Sequence, residues 1–400
     1  MPGRALPRTV WVLAAVSLLN DAASEMIAPL LPLFLTLTLG AGPALVGLIE
    51  GAAEAATSVL KLLAGRLADR GVERRKLVIG GYILANLARP LIGLAGSWAQ
   101  VLALRVVDRI GKGLRSAPRD ALLAASVSPA VRGRAFGVHR SADHLGAMIG
   151  PIIAAVMLAA GFDMREVFLA AGVLGVVTVA TLWTGLERSA PAPAPLPDAA
   201  APLIWRGLDV RLRAFLIAVA VVTAATVPEA LIVLWAMQHG VAIAWIPILW
   251  AAAHALKALV AWPCGELADR FGALRVLAIG WPLRVGALLA LAFTVPEGVV
   301  VWLLFIAYGA TLAITEAAER ALIAASAPGA VQGTAFGWFH LFAGLGALPG
   351  AWLIGYLWQS AGSRTALVAA AAIGSVACIA AGALATGTGR FFRARSAAGS

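Results

Sequence analysis

The chain partly matches itself when it is shifted by 200 residues. Identical residues recur in the same order along both halves, and the register does not slip. The recurring pairs include Gly65/Gly265, Leu67/Leu267, Ala68/Ala268, Asp69/Asp269, Arg70/Arg270, Phe136/Phe336, Gly137/Gly337, Gly146/Gly346 and Gly150/Gly350. A repeat of this length predicts that each half carries the same structural elements in the same order.

Composition places both halves in a membrane. The 400 residues are 61% hydrophobic and 13% charged, whereas soluble domains are about 45–50% apolar and about 25% charged. A spanning helix needs about 20 mainly apolar residues. Twelve such stretches fall near residues 9–36, 43–64, 76–95, 98–125, 134–158, 167–186, 212–237, 242–264, 275–294, 299–325, 334–358 and 365–387. We therefore predict an all-α integral membrane protein with twelve transmembrane helices in two six-helix bundles, because a β-barrel would show short alternating segments.

The boundary between the two bundles falls at a stretch rich in alanine and proline, which is typical of an extended linker. We predict an N-terminal bundle over 1–188, a cytoplasmic linker over 189–206, a C-terminal bundle over 207–388 and a cytoplasmic tail over 389–400. The first apolar stretch continues through Ile27–Leu35. It is too long for a cleaved signal peptide, so we expect a retained helix.

The formal net charge of +11 predicts orientation rather than a nucleic-acid partner. Basic residues cluster in the loops after spans two, four, six, eight and twelve, and the opposite loops hold little beyond Arg165 and Arg364. The positive-inside rule then predicts a multi-pass cell (inner) membrane protein with both termini in the cytoplasm. Cys264 and Cys378 show no metal or redox spacing, and we expect no cofactor.

A long internal repeat in a very apolar chain is typical of transporters, whose substrate site lies between the repeats. The segment after span two, GRLADRGVERRK, and its second copy beginning at Gly265 resemble the loop motif of the major facilitator superfamily. The resemblance covers nearly the whole chain and implies two rocking bundles. It also implies a cytoplasmic gate, made of the motif's acids and arginines, that latches the outward-facing state. The residues that match this gate are Gly65, Asp69, Arg70, Arg74, Arg75, Asp269 and Arg270.

Two further motifs resemble the same superfamily. Arg109 and Gly113 match its fourth-helix motif, in which Lys112 replaces the usual glutamine, and the arginine is linked to proton transfer in proton-coupled members. Gly146 and Gly150-Pro151 match the core of the fifth-helix motif of antiporters, although the usual following glycine pair is alanine here. The alternative for the second match is a helix contact between small residues, which is common in membranes.

Ionisable side chains lie inside a selected set of spans. In the superfamily, helices 1, 2, 4, 5, 7, 8, 10 and 11 line the cavity, and the charges here follow that division, with little in spans three and nine beyond Arg89 and Arg284. Such groups cost about 2.5–3.5 kcal/mol each at bilayer depth and usually mark function. The predicted substrate and proton pathway comprises Asp21, Glu25, Glu54, Arg105, Asp108, Arg109, Lys112, His139, Arg140, Asp143, His144, Glu229, His254, Lys257, Glu316, Glu319 and His340.

Helical spacing groups several of these side chains on common faces. Asp21 and Glu25 share one face, and Arg105, Asp108, Arg109 and Lys112 of span four form one stripe. A carboxylate that loses its ion-pair partner changes its proton affinity, so we expect Asp21, Glu25 or Asp143 to carry a proton. Glu50 and Lys61 are expected to snorkel to the membrane surfaces. For each of these residues, the alternative to a role in transport is a purely structural ion pair.

The sequence leaves the transported solute open. The leading hypothesis is a monomeric, proton-coupled secondary transporter that exports a small polar or charged solute or drug and is not an enzyme. The alternative is uptake of a nutrient, an anion, or a metal or metal chelate such as copper or a siderophore. The His144-to-Met148 spacing fits a soft-metal contact, but methionine is also common packing material, and we predict no metal site.

Overall fold

The computed structural model describes residues 6–69, 73–128, 131–186, 205, 210–326 and 332–388. It is 89% helical, and these residues form no strand. The helices are α1 (Arg8–Ile27), α2 (Leu31–Leu33), α3 (Pro43–Asp69), α4 (Arg74–Leu91), α5 (Trp98–Ala125), α6 (Arg132–Ala159), α7 (Met164–Gly185), α8 (Val210–Ala225), α9 (Glu229–Gln238), α10 (Ile246–Phe271), α11 (Ala273–Phe293), α12 (Val299–Ser326) and α13 (Gln332–Thr388). A π-helical turn over Phe34–Thr38 extends α2. The predicted linker and tail lie outside the described residues, apart from Trp205.

Ten helical stretches of the described chain are long and apolar enough to cross a membrane. Helix α5 has the length, 28 residues, and is missing from the ten because it carries many charged side chains. The 57-residue α13 is interrupted at Gly362, whose positive φ of 88° ends one straight helix and begins another. When α5 is included and α13 is divided there, the helices correspond to the twelve predicted spans.

Spans one and seven are each broken near one end, where the sequence predicted continuous helices over 9–36 and 212–237. Pro29 follows the end of α1, and Pro228 separates α8 from α9. Proline lacks the N–H that would continue the helix. At the second break, the carbonyl of Val227 accepts a hydrogen bond from the hydroxyl of Tyr308 at 2.7 Å.

The repeated glycines explain why the halves pack alike. A Cβ on Gly146 would lie 2.4 Å from the Leu18 carbonyl oxygen of α1, and one on Gly346 would lie 2.2 Å from the Ala220 oxygen of α8. In both halves the glycines therefore let two backbones touch. This is the helix contact that was the alternative interpretation of the Gly146–Gly150 motif.

The apolar core divides along the membrane normal. We call the end where α1 begins and α3 meets α4 the terminal end, and the other the distal end. At the distal end one cluster joins both halves, with Leu30 and Ile49 of the first beside Leu231 and Ile354 of the second. At the terminal end there are two separate clusters of buried residues. One draws its members from the first half, between Leu6 and Leu186, and the other from the second half, between Leu212 and Ala377. The halves therefore share one apolar core at the distal end and have separate cores at the terminal end.

Candidate functional site

The carboxylate of Asp108 lies at the centre of a buried charge cluster in the first half. Its Oδ1 accepts from Arg89 Nε at 2.8 Å, and its Oδ2 lies 3.6 Å from Arg105 Nη1 and 3.8 Å from Arg109 Nε. Arg105 also contacts Glu50 at 3.1 Å. The stripe predicted on span four is thus the core of a network that ties α3, α4 and α5 together.

The same network extends to α1 through an asparagine. Arg89 Nη1 donates to Asn20 Oδ1 at 2.9 Å and to the Asn20 backbone carbonyl at 3.2 Å. Asn20 in turn donates to Asp21 Oδ1 at 2.9 Å. Because Arg89, Arg105 and Asp108 are buried, each charge depends on its partners for solvation, and we expect the cluster to act as one unit.

Helix α6 carries a second group of predicted residues around Asp143. The carboxylate accepts from Ser17 of α1, contacts Arg140 at 3.3 Å and lies 3.6 Å from His139 Nδ1. His139 is buried, and its Nε2 has no hydrogen-bond partner among the described residues. All these contacts lie within the first half.

A hydrogen bond joins the predicted site residue Glu25 of the first half to the second half. Trp250 Nε1 of α10 donates to Glu25 Oε2 of α1 at 2.8 Å. The ring of His254 stacks on Trp250 with centroids 5.3 Å apart. A carboxylate, an indole and an imidazole are therefore gathered where the halves meet.

The second half holds fewer charged contacts. Lys257 Nζ bonds Glu229 Oε1 at 2.5 Å across α10 and α9. Arg320 pairs with Glu316 at 2.6 Å on an exposed face of α12, and Trp281 Nε1 donates to Glu319 at 3.2 Å. His340 lies against the ring of Phe339, and no described carboxylate pairs with it.

Several pathway residues are exposed although they lie within spanning helices. Glu54, Lys112 and His144 are exposed, and none has an ion pair within 4 Å in the described part of the chain. No group of three His, Cys, Asp or Glu is close enough to hold a metal ion within that part.

Most residues of the predicted gate have side chains that the structure does not describe. These residues are Gly65, Asp69, Arg70 and Asp269. Arg74 is half-buried and Arg270 is exposed. Arg75 donates to the carbonyls of Leu186 at 3.2 Å and Trp183 at 3.3 Å, at the end of α7.

Sequence reasoning missed the residues that the cluster recruits from other helices. Arg89 is buried beside Asp108. Outside this cluster, the second half buries Arg284, which was also not predicted as a site residue and donates to the hydroxyls of Thr226, at 3.0 Å, and Thr315, at 2.5 Å. Their position in the middle of a spanning segment could have identified them as buried residues, because an arginine at that depth in the membrane must face protein or water. The expectation that Glu50 snorkels was wrong, because it is bound to Arg105.

Comparison with known proteins gives the same architecture. The sequence profile of the Major Facilitator Superfamily matches residues 13–350. An uncharacterised MFS-type transporter of Methanocaldococcus jannaschii is 30% identical over 372 residues, which is 91% of this chain and 92% of that protein. The multidrug resistance protein MdtH of Aeromonas hydrophila is 29% identical over 159 residues, 40% of this chain and 39% of that protein.

A solved structure extends the likeness to three dimensions. The bacterial homologue of the human lysosomal transporter Spinster, in an inward-facing and occupied conformation, superposes with a TM-score of 0.75 at 17% identity. The match covers 94% of this chain and 96% of that chain. At this identity the likeness supports the fold.

Proposed function

The chain belongs to the major facilitator superfamily, and on this premise we propose that it exports a small polar or charged solute in exchange for protons. The observation that carries the proposal is the hydrogen bond between Glu25 and Trp250, which joins the two halves. An exporter of this kind binds its solute from the cytoplasm, releases it outside and returns with a proton.

The division of the core supports an alternating-access cycle. The halves share one core at the distal end and have separate cores at the terminal end. The excess of arginine and lysine in the terminal loops supports a cytoplasmic position for that end. On this orientation the conformation is inward-facing, and the opposite conformation requires the distal contacts to separate.

Glu25 is the acid best placed to couple that movement to a proton. Asp143 and Asp21, the other two candidates, have their contacts within the first half. The Glu25 contact crosses to α10, so separation of the halves removes its donor. A carboxylate that loses a hydrogen bond to its charged form binds protons more readily. Protonation from the outside and release into the cytoplasm would then follow the conformational cycle.

Export is the direction supported by the similarity to an antiporter motif at Gly146–Pro151 and by the name of the multidrug relative. The glycines of that motif also form a helix contact, so the direction needs a direct test. The test is proton movement in proteoliposomes that hold the purified full-length chain and an acidic lumen. A pH-sensitive dye inside reports protons leaving as solutes, including ethidium and organic acids, are added outside.

We expect at least one solute to raise the lumenal pH in the wild-type chain. Glu25→Gln should abolish the response, whereas Glu297→Gln should retain it, because Glu297 lies in an exposed loop. Proton flow in the same direction as the solute would replace export by uptake. Solute transport without proton movement, or full activity in Glu25→Gln, would contradict the proposed coupling.

A further inference from the structure

Two lysines inside the first half lack the partners that neighbouring cations have. Arg89, Arg105 and Arg140 each contact a carboxylate within 4 Å. Lys61 and Lys112 have no such contact among the described residues. Lys112 is exposed near the middle of α5, and Lys61 is half-buried on α3.

The packing of α3 on α5 brings these lysines to one place. Gly113 lies directly against α3, since a Cβ on it would be 2.5 Å from Leu60 Cβ and 3.3 Å from the Lys61 backbone nitrogen. Lys112 and Lys61 are the chain neighbours of this contact. They flank this contact from the two neighbouring helices.

No described carboxylate lies within 4 Å of either ammonium group, so neither lysine forms an ion pair. Arg109, one turn from Lys112 on α5, adds a third cation, although it lies 3.8 Å from Asp108. Glu54 and Asp21 are the carboxylates in the surroundings of the two lysines, and both stay beyond ion-pair distance in the described chain. Lys112 lies within its spanning helix and Lys61 at the end of its apolar span. Ammonium groups in such places are costly unless they face water or an anion.

We propose that Lys61 and Lys112 bind an oxyanion, a carboxylate or a phosphate, of the transported solute. The inference rests on the proposed transport function and adds the chemical class of its substrate. Lysine ammonium groups act as point charges that accept either anion, and an anion between them relieves their mutual repulsion. The Asp108 cluster remains separate because its cations already have carboxylate partners.

Thermal unfolding of the purified full-length chain in detergent tests the site without transport. The probes are benzoate, phenyl phosphate, the neutral benzamide and the cationic benzylamine, each at millimolar concentration. We expect benzoate or phenyl phosphate to raise the melting temperature, since a ligand stabilises the state it binds. Which of the two is more effective distinguishes a carboxylate solute from a phosphate one. A shift with neither oxyanion, or an equal shift with benzamide, would overturn the proposal.

Variants locate the site. Lys61→Gln and Lys112→Gln should each weaken oxyanion binding by about tenfold or more, because a hydrogen bond between charged groups is lost. Lys76→Gln is the matched control, since Lys76 is exposed at the start of α4 and pairs with Glu73. An unchanged shift in the double variant would assign the anion to another place.

A measurement on the wild-type chain covers the case in which a variant fails to fold. Acetylation of lysines, read by mass spectrometry, should slow at Lys61 and Lys112 when the stabilising oxyanion is present and stay unchanged at Lys76. Equal labelling would contradict the site. Oxyanion binding without solute-driven proton flux would contradict the proposed proton-coupled transport but leave the oxyanion site standing. Proton flux driven only by neutral or cationic solutes would support that transport but contradict the oxyanion site.

Discussion

The two halves share a scaffold and differ in what they bury. Asp108 and Arg105 of the first half occupy the positions of Tyr308 and Phe305 in the second, 200 residues later. All four side chains are buried. The first half thus holds a charge cluster where the second holds two aromatic rings, while the glycines that set the helix contacts are the same. The difference indicates that the repeat fixes the shape of the halves and leaves their interiors free to specialise.

The largest expected effect comes from the position at which the halves differ most. Asp108→Ala leaves Arg89, Arg105 and Arg109 without their shared carboxylate, and removal of one partner from a buried ion pair costs about 3–5 kcal/mol. The equivalent Tyr308→Phe loses one hydrogen bond, to the Val227 carbonyl, at about 1 kcal/mol. Denaturant unfolding of both variants in detergent measures the difference. Equal losses would mean that the cluster does not stabilise its half as a unit.

A smaller and equal effect is expected where the halves agree. Gly146→Ala and Gly346→Ala each place a Cβ within 2.4 Å of a carbonyl on the facing helix, and such overpacking costs about 1–3 kcal/mol. Gly137→Ala is the control, since its Cβ would meet nothing within 4 Å. A large loss at one glycine with none at its repeat would show that the scaffolds are less alike than the sequence.

These pairs also show what the sequence could predict. Hydropathy predicted the helices because it is a property of one segment. The glycine contact was the alternative interpretation of the Gly146–Gly150 motif, and the repeat extends it to Gly346 and Gly350. The Asp108 cluster was predicted only in part, as the stripe of Arg105, Asp108 and Arg109. Its partners Arg89 and Asn20 come from α4 and α1, and spacing along one helix does not show which distant helices meet. The hydrogen bond between Trp250 and Glu25 could not be predicted for the same reason, because the sequence of an apolar span does not show which residue a tryptophan in it will contact.

A third comparison separates contacts within a half from contacts between halves. Trp250 stands 200 residues after Glu50, but Trp250 binds Glu25 in the other half, whereas Glu50 binds Arg105 in its own. Trp250→Phe keeps an aromatic ring but loses the N–H donor, so the conformation that is closed at the distal end should lose about 1 kcal/mol relative to one that is open there. Spin labels at Ala99 and Val295, both exposed at the distal end, report the distance between halves.

Glu50→Gln is the matched variant for that measurement. It weakens a contact that stays intact while the halves move, so it should lower the free energy of unfolding without changing the label distances. If Glu50→Gln changes the distance between the spin labels, or if Trp250→Phe leaves it unchanged, the contacts within a half and between the halves do not differ in the way we propose. Either result would also weaken the case for Glu25 as the coupling acid.

The smallest expected effect concerns an arginine that the repeat preserves but the halves use differently. Arg75 donates to the Leu186 and Trp183 carbonyls at the end of α7, where a cation also interacts favourably with the helix dipole, by about 0.3–1 kcal/mol. Arg275, its repeat, is exposed, and no described side chain pairs with it. Arg75→Ala should therefore lower the melting temperature slightly more than Arg275→Ala in the same detergent and salt. The gap should shrink at high salt, because exposed charges are screened. If Arg275→Ala lowers the melting temperature more than Arg75→Ala, Arg275 makes a stabilising contact that its exposed position does not show. The asymmetry between the halves would then be confined to their buried interiors.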